Sequence, residues 1–418
     1  MTTAATGLWA CSPQPKETIS SPAPTFNASE LWEQIRADIE LFYAYLDRDD
    51  FDSEAYLDRL GERLIQSENV EAFRVELHRA TFAFTDPHFI VGPFDKTDFN
   101  IIPTSSDLIV GGDNFNIIDV RAGSAADAAD IRPGWRLLEV NDKPLSPSIE
   151  QVFEGLLSDI TPQQRDYVAT LIANGRIGQE RRLRLQNPAG DVIVLTLPSP
   201  AGFARTVSNL PPIEIDYPAE GIARMRINNR LGDNAMVAEF DEAFEKLGPV
   251  NGFILDMRNT PSGGNTTVAQ ALMGQFVSEP TAYQIHDYPS MEREFGVPRR
   301  SVEHVLPRAP FIDVPLVVLG GPWTGSMGEG IVIGLDAAAD AHVIASDMGD
   351  LLGGLINLSY ADNQIKIDLG REKLSHMDGT PREDFLADQP LMSADRDEDG
   401  NDPALRAALT WFAEHASQ

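Results

Sequence analysis

From Ile213 onward, the sequence alternates between short apolar runs and amphipathic segments, and this alternation constrains the fold more than any other feature of the chain. The runs GIARMRI, GFILDMR and PLVVLGG are typical of buried strands, while NAMVAEFDEAFEKLG, TTVAQALMGQFV and GEGIVIGLDAAAD have the apolar spacing of helices. Parallel strands need a long crossover connection, which is usually a helix. The sequence therefore predicts βαβ units around a mostly parallel sheet, an α/β fold, over residues 201–418.

Two other kinds of pattern precede this core. Residues 28–100 begin with the apolar spacing of helices, which Pro87 ends, and the β-formers after it predict a strand. Residues 101–200 carry short β-like runs punctuated by Gly and Pro, with a helical insert expected between Ile149 and Gly178, and RRLRLQNPAGDVIVLTLP is typical of a hairpin. We expect an α+β multi-domain chain made of a linker at 1–27, a helical domain at 28–100, a β-rich domain at 101–200 and the core at 201–418.

The charge balance limits the partners that the chain can have. It contains 33 Lys and Arg against 64 Asp and Glu, a formal net charge of −31. Such a surface repels phosphate backbones and anionic lipid headgroups, so nucleic acid is not expected as a partner. No apolar stretch approaches the roughly 18–20 residues that a membrane-spanning helix needs, so none is expected.

The single cysteine, Cys11, cannot form an internal disulfide. It lies in GLWACSPQPKETISSPAPT, where a small apolar run precedes it and a Pro/Ser-rich linker follows. This order resembles a bacterial lipoprotein cleavage site and its tether, in which the cysteine becomes the lipidated N-terminus. The resemblance implies a lipid anchor at Cys11 as the sole membrane contact and a location in the bacterial cell envelope; a chance match is the alternative.

The candidate catalytic residues lie at two strand ends of the predicted sheet. Ligands of open α/β sheets bind where the strands end. After FILDMR, the turn Ser262-Gly263-Gly264 lets backbone N–H groups approach a bound oxygen, which predicts an oxyanion cradle; a plain loop is the alternative. After PLVVLGG, Ser326 stands at a helix N-terminus, where free N–H groups favour negative charge. It is either a nucleophile or only an N-cap, with Glu329 completing a capping box.

The middle and core segments together resemble a known family. IIDVRAGSAADAADIRPGWRLLEVNDKPL resembles the PDZ domain of bacterial proteases. Such a domain followed by ILDMRNTPSGG and GSMGEG resembles the tail-specific, or C-terminal-processing, serine peptidases, whose relatives include tricorn protease and the interphotoreceptor retinoid-binding protein. The resemblance implies a βαβ core of the ClpP-like or crotonase-like type. It also implies that Ser326 is the nucleophile and that the oxyanion hole uses the N–H of Met327 with that of Gly263 or Gly264.

The family divides over the group that activates the serine. In its processing branch, a lysine follows the serine by about 25 residues, but Leu351 stands at that place here. The lysines beyond Ser326 are Lys366 and Lys373, in unrelated contexts. A Ser–Lys dyad is therefore not expected.

The tricorn-like branch instead pairs its serine with an early histidine and a late glutamate. FTDPHFIVGP resembles the segment that supplies the histidine, which implies His88 as general base; a structural histidine satisfied by Asp86 is the alternative. DGTPREDFLADQPLM resembles the closing segment of the family, which implies that Glu383 orients His88. The competing carboxylates in that segment are those of Asp378, Asp384 and Asp388.

The segment DRDEDGNDPALR resembles a calcium-binding loop, but Arg406 occupies the position where such loops need a bidentate glutamate. We expect Asp402 to be an N-cap and Pro403 to begin a final helix. No metal and no cofactor are expected.

These observations predict a serine-type endopeptidase that hydrolyses peptide bonds of a peptide or protein substrate through a Ser326 acyl-enzyme. The PDZ-like domain is expected to hold an extended peptide by strand addition. Three alternatives stay open: a catalytically inactive protein on the same fold that binds apolar ligands or peptides, a PDZ-type adaptor, and a hydrolase of another ester or amide. The oligomeric state is left open as well.

Overall fold

The helices begin where the sequence supplies capping residues. The computed structural model describes residues 26–48 and 51–415, so Cys11 and its predicted anchor lie outside the described part. Asn27 and Asn69 each accept from the backbone N–H three residues later, and Thr161 forms a capping box with Gln164. The helices are α1 Ala28–Phe42, α2 Ser53–Leu64, α3 Val70–Thr81, α4 Ala125–Ala128, α5 Leu145–Phe153, α6 Pro162–Asn174, α7 Ala201–Val207, α8 Met236–Glu245, α9 Thr266–Met273, α10 Pro289–Phe295, α11 Met327–Ala339 and α12 Pro403–His415.

Within the described ranges, the strands form four sheets. In chain order the strands are β1 Ile90–Gly92, β2 Leu108–Gly111, β3 Asn116–Val120, β4 Arg136–Val140, β5 Lys143–Pro144, β6 Arg181–Gln186, β7 Val192–Leu197, β8 Ile213–Ala219, β9 Ile222–Ile227, β10 Gly252–Asp256, β11 Thr281–Asp287, β12 Arg300–Val305, β13 Leu316–Gly320, β14 His342–Ala345, β15 Leu355–Tyr360, β16 Ile365–Gly370, β17 Lys373–Ser375 and β18 Gln389–Pro390. No helix within 26–48 and 51–415 has the length and apolar character to cross a membrane.

The core is a six-stranded sheet in the order β18-β14-β13-β10-β9-β8. Its strands are parallel except β8, which pairs antiparallel with β9. Every residue of β10 and β13 is buried, because α8, α9 and α11 pack on one face of the sheet and α12 packs on the other. The prediction of an α/β fold with a mostly parallel core sheet is confirmed.

A second sheet, in the order β2-β3-β4-β6-β7 with β5 on β4, is antiparallel throughout. The predicted hairpin is its β6–β7 pair, and the predicted helical insert is α5 and α6. Strand β2 lies at one edge of the sheet and packs against α6.

Two small sheets tie distant parts of the chain together. The strand after Pro87, β1, pairs antiparallel with β16, and Ile90 lies opposite Asp368. The other sheet has the order β12-β11-β17 and was not expected from the sequence. These pairings bring the loop that holds His88 next to the chain that follows α11.

A buried arginine joins the antiparallel sheet to the core sheet. Arg121 follows β3, and its Nη2 donates to Asn259 Oδ1 over 3.1 Å, just beyond the end of β10. Burial lowers the pKa of Arg121 to about 10. Asp119 of β3 accepts from the N–H of Ala394 over 2.7 Å, so the antiparallel sheet and the core sheet are joined by polar contacts.

Candidate active site

The two strand ends expected to carry chemistry are held side by side beyond the sheet. Thr260 N donates to the Trp323 carbonyl over 3.0 Å, and Gly325 N donates to the Thr260 carbonyl over 3.0 Å. These bonds continue the parallel pairing of β10 and β13 into the two loops. As a result, the glycine turn and the serine that precedes α11 lie against each other.

Ser326 occupies the junction between the core sheet and α11 in an unusual backbone conformation. Its φ is 53° and its ψ is −114°, a region that residues with a side chain rarely adopt. Such conformations require about 1–3 kcal/mol and persist where the surrounding structure enforces them, often at functional sites. Ser326 is also the N-cap residue, since its N–H donates to the Glu329 carboxylate as the capping-box pattern predicted. Ser326 is therefore an N-cap, and its hydroxyl also lies at the N-terminus of α11.

The structure separates the roles of the two candidate glycines. A Cβ placed on Gly263 would lie 2.6 Å from Ser326 Oγ and 3.3 Å from Met327 N, so Gly263 packs directly against the serine side chain. A Cβ on Gly264 would instead lie 2.4 Å from the carbonyl oxygen of Leu231. Gly263, with φ +66°, thus borders the predicted oxyanion position, whereas Gly264 permits close packing of two backbones.

Backbone donors at this position are open. Within residues 26–48 and 51–415, the N–H groups of Gly263 and Met327 donate to no protein acceptor, although neighbouring Ser262 N donates to Asn229 Oδ1 over 3.1 Å. Unpaired N–H groups that border one hydroxyl are what an oxyanion hole requires. Met327 N–H also begins α11, where the helix dipole favours negative charge.

A buried ion pair supports the serine from behind. Arg382 Nη2 donates to Glu329 Oε2 over 2.7 Å and to the carbonyl oxygen of Ser326 itself. Both side chains are buried, with exposed fractions of 6% for Arg382 and 3% for Glu329. Burial raises the pKa of the Glu329 carboxyl, and the charge of Arg382 opposes that rise. The pair fixes both ends of the Ser326 backbone.

His88 is buried and its ring is oriented by a backbone carbonyl. Its Nδ1 lies 3.0 Å from the Leu352 carbonyl oxygen, which accepts only if Nδ1 carries the proton. In that tautomer Nε2 is the basic nitrogen. Burial lowers the pKa of His88 to about 4, so the ring is neutral at pH 7, the state that a general base needs.

Asp86 holds the turn around His88. Its Oδ1 accepts from His88 N over 2.8 Å and from Leu352 N over 3.3 Å, and its Oδ2 accepts from the Tyr43 hydroxyl over 3.0 Å. Burial raises the pKa of Asp86 to about 7. Asp86 therefore binds the backbone N–H of His88, and the imidazole ring is bound by the Leu352 carbonyl.

One loop links the serine to the histidine. Leu351 N donates to Glu329 Oε2 over 3.3 Å, and the next residue, Leu352, binds both Asp86 and the His88 ring. Leu351 is the position where a lysine would stand in the processing branch. Of the two lysines beyond Ser326, Lys373 is bound to Asp47 over 2.7 Å, and Lys366 is exposed on β16.

No late carboxylate forms a hydrogen bond or ion pair with the His88 ring in the described part of the chain. Glu383 is exposed on a short 3-10 turn, Arg382–Asp384, directly after the buried Arg382. Asp378 and Asp388 lie near other histidines, at 3.0 Å from His376 and 3.6 Å from His342. In the described residues, the side-chain partner of His88 is therefore the Leu352 carbonyl.

Sequence reasoning missed the roles of Arg382 and Leu352 in this site, whereas it named Asp86 as a partner of His88. Arg382 stands beside the nominated Glu383, and it is Arg382 that donates to the Ser326 carbonyl. The signal for Asp86 was present, since an aspartate two residues before a histidine is suited to cap its turn. Leu352 acts through its backbone, which has no residue-type signal.

The acidic segment near the C-terminus serves structure. Asp402 Oδ1 accepts from Leu405 N over 2.9 Å at the start of α12, so the N-cap prediction is confirmed. Asp395 Oδ2 accepts from Ala122 N over 3.0 Å, across the domain boundary. Among the described residues, no group of three or more His, Cys, Asp or Glu is arranged to hold a metal ion.

Comparison with known proteins identifies the fold. No protein-family model and no curated protein sequence matches the chain. Among solved structures, mature CPAF is similar with a TM-score of 0.59 and 13% identity over 89% of this chain and 93% of that chain. Mature CPAF complexed with lactacystin gives 0.58 and 12% over 93% and 97%. The photosystem II D1 C-terminal processing protease gives 0.51 and 12% over 88% and 94%. The chain therefore has the fold of these proteases along nearly its whole length.

Proposed function

We propose that the protein is a serine peptidase that cleaves peptide bonds through an acyl-enzyme on Ser326. The observation that carries the proposal is the junction of Ser326 with Gly263 and Met327, where a hydroxyl at a helix N-terminus lies against a glycine turn, and the N–H groups of Gly263 and Met327 have no protein acceptor among the described residues. A fold shared with CPAF and the D1 C-terminal processing protease supports it. The substrate is accordingly a peptide or protein.

In this proposal, Ser326 Oγ attacks the scissile carbonyl and His88 Nε2 takes the hydroxyl proton. The N–H groups of Met327 and Gly263 stabilise the oxyanion of the tetrahedral intermediate. His88 then gives the proton to the leaving amine, and a water molecule, deprotonated by the same nitrogen, hydrolyses the acyl-enzyme. The Leu352 carbonyl keeps the proton of His88 on Nδ1, the tautomer that these reaction steps need. Glu383 stays a predicted orienting residue, and in this conformation the Leu352 carbonyl holds that role.

A binding protein without catalysis is the second candidate. It is favoured by an apolar cavity of about 270 Å³ between the antiparallel sheet, α6 and the loop after β14. Such a cavity is large enough for a side chain or a small apolar ligand. This candidate predicts that Ser326 is chemically inert.

The two candidates are distinguished by reaction with a fluorophosphonate probe, followed by peptide mass spectrometry. The proposal expects label on Ser326 in the wild type, no label in Ser326→Ala, and at least a tenfold slower reaction in His88→Gln. Ser262→Ala is the matched control, because Ser262 lies in the neighbouring turn and its hydroxyl donates to Asn229; its labelling should equal that of the wild type. An unlabelled wild type, beside a control hydrolase that reacts, contradicts the peptidase.

We also propose that the protein is anchored in the bacterial envelope through a lipid on Cys11. The support is the sequence around Cys11 alone. Metabolic labelling with an alkyne fatty acid should mark the wild type and leave Cys11→Ser unmarked. Equal labelling of the two would refute the anchor.

A further inference from the structure

Strand β2 is one of the two edge strands of the antiparallel sheet, and an extended peptide can add to such an edge. The backbone groups of alternate residues in an edge strand point away from the sheet and are open to such a partner. Here, side chains of α6 bind those groups at residues 108, 110 and 112. The contacts are Asn174 with Leu108 N and O at 3.3 and 2.8 Å, Thr170 Oγ1 with Val110 N and O at 3.0 and 3.1 Å, and Asp166 Oδ2 with Gly112 N at 2.9 Å.

The spacing of the helix explains why these contacts form a ladder. Asp166, Thr170 and Asn174 are four residues apart, so they lie on one face of α6 and rise about 6 Å per step. Two residues of a strand advance by about 6.6 Å. A helix that carries a short polar side chain at every fourth position can therefore pair with every second residue of a strand. The α6 ladder takes the place that a peptide strand would occupy on β2.

Beside this closed edge lies the apolar cavity of about 270 Å³. Its apolar walls come from both domains: Pro87, Ile102, Ile109, Ile118, Met348 and Met392. Pro87 adjoins His88, and Gly349 of the same lining precedes the loop that links Glu329 to the His88 ring. The cavity is thus next to the candidate catalytic residues.

The polar part of the cavity is acidic. Its charged lining residues are Asp166, Asp347 and Asp350, and no Lys or Arg lines it within the described residues. Asp347 and Asp350 are exposed by surface area, and within the described residues neither forms an ion pair with a protein cation. Desolvation and the neighbouring acidic groups raise the pKa of Asp350, so a bound cation would favour its charged form. Ser346 also lines the cavity, and its buried hydroxyl oxygen has no hydrogen-bond partner in the described part of the chain. An apolar space with unpaired carboxylates and an unpaired hydroxyl fits a ligand with an apolar and a cationic part.

We propose that this cavity is the substrate-specificity subsite of the chain, and this inference rests on the proposed peptidase function. It takes a large apolar side chain of the peptide, and Asp347 and Asp350 hold a Lys or Arg beside that residue. Because the α6 ladder occupies β2, the peptide forms no backbone ladder with that strand. Recognition by this domain is through side chains, in place of the strand addition expected from the sequence.

The test measures binding to the Ser326→Ala protein, so that it does not depend on cleavage. Fluorescein-labelled octapeptides of Ala and Ser carry Leu-Lys, Leu-Glu or Gly-Lys at the centre, and binding is followed by fluorescence anisotropy. The Leu-Lys peptide should bind about tenfold or more tightly than the Gly-Lys peptide, since a buried Leu side chain contributes that much. It should bind about threefold or more tightly than the Leu-Glu peptide, since the carboxylates are exposed and screened.

Two further substitutions place the binding in the cavity. Ile118→Trp fills it and should weaken Leu-Lys binding about tenfold, whereas Ile193→Trp on β7, a half-buried isoleucine of the same sheet, should not. Asp347→Asn should reduce the preference for Lys over Glu because one of the two carboxylates is lost. Asp362→Asn, at an exposed carboxylate in the β15–β16 turn, should leave the preference unchanged. Thermal melting of each variant verifies folding.

Unchanged binding in Ile118→Trp, or equal binding of the Leu-Lys and Leu-Glu peptides, would overturn the subsite. The outcome is separate from that of the peptidase proposal. If the peptide preference holds while Ser326 fails to react with fluorophosphonate, the cavity is a peptide-binding site and the catalytic proposal fails.

Discussion

Arg382 Nη2 lies 2.7 Å from Glu329 Oε2, and this buried pair connects the end of the chain to the start of α11. The same guanidinium donates to the Ser326 carbonyl, while Glu329 accepts from Ser326 N. The ion pair therefore binds both the N–H and the carbonyl oxygen of the strained serine. Its charges compensate each other in a place where neither would be stable alone.

Removal of one partner should be far more damaging than removal of both. Arg382→Met leaves a buried carboxylate without its cation, which typically destabilises a protein by about 3–5 kcal/mol. The double variant Arg382→Met with Glu329→Gln should recover most of that loss, because the amide oxygen can still accept from Ser326 N. Urea unfolding gives the free energies, and Arg371→Met, at a more exposed arginine, is the control. A double variant no more stable than Arg382→Met would contradict this role.

Asp86 and His88 should give opposite pH dependence of stability. The folded-state pKa of His88 is lowered to about 4, so unfolding takes up a proton below the usual histidine value of about 6.5, and stability falls as pH drops from there toward 4. The pKa of Asp86 is raised to about 7 from a usual value of about 3.9, so its stabilising contribution is present at low pH and is lost as pH rises from about 4 to 7.

Variants separate these two contributions. Asp86→Asn keeps His88 alone, so from pH 4 to 6.5 its free energy of unfolding should rise with pH more steeply than that of the wild type. His88→Gln keeps Asp86 alone, and its free energy of unfolding should fall relative to the wild type over pH 4 to 7. Chemical denaturation at several pH values measures both slopes. Parallel curves for the two variants would show that these burial effects are not expressed.

The strained conformation of Ser326 predicts that a glycine variant is more stable than an alanine variant. Glycine adopts φ of 53° without a Cβ penalty, so Ser326→Gly should be more stable than Ser326→Ala by about 1 kcal/mol. Alanine keeps the Cβ and hence the strain. Both variants should be unreactive toward fluorophosphonate. Thermal denaturation compares them, and a less stable glycine variant would show that Ser326 is not strained.

Substitution of the two turn glycines by alanine should have different effects, one on the reactivity of Ser326 and the other on stability. Gly263→Ala places a Cβ 2.6 Å from Ser326 Oγ, so it should abolish labelling of the serine. Gly264→Ala places a Cβ 2.4 Å from the Leu231 carbonyl oxygen, a backbone atom that cannot rotate away, so it should chiefly lower the melting temperature. Labelling and melting are measured on both. A fully reactive Gly263→Ala protein would exclude Gly263 from the oxyanion position.

The parts of this molecule that were predictable are those specified by local pattern. Continuous apolar runs identified β10 and β13, and the turn residues after them located the site at the strand ends. Strands β11 and β12 were missed: β12 alternates exposed and partly buried residues, and its pairing with β11 spans a helical turn, α10, that interrupts the expected hairpin. Arg382 and Glu383 are adjacent on one 3-10 turn, so their directions depend on a fold that the motif does not encode. The orienting Leu352 carbonyl belongs to the backbone and could not be found from residue types.

The hydroxyl of Thr170 in the α6 ladder should contribute measurably to the stability of the protein. Thr170 Oγ1 both accepts from Val110 N and donates to Val110 O, so one side chain satisfies two groups of the β2 edge. Thr170→Val keeps the shape and removes both bonds, which leaves a buried donor and acceptor unpaired and should destabilise the protein by about 1–3 kcal/mol. Thr196→Val on β7, where the threonine is exposed, should change stability by less than about 0.5 kcal/mol. Hydrogen exchange should show faster exchange at Val110 in Thr170→Val, because its N–H then lacks the hydrogen bond that protects it. Unchanged protection there would show that α6 does not close the edge of β2.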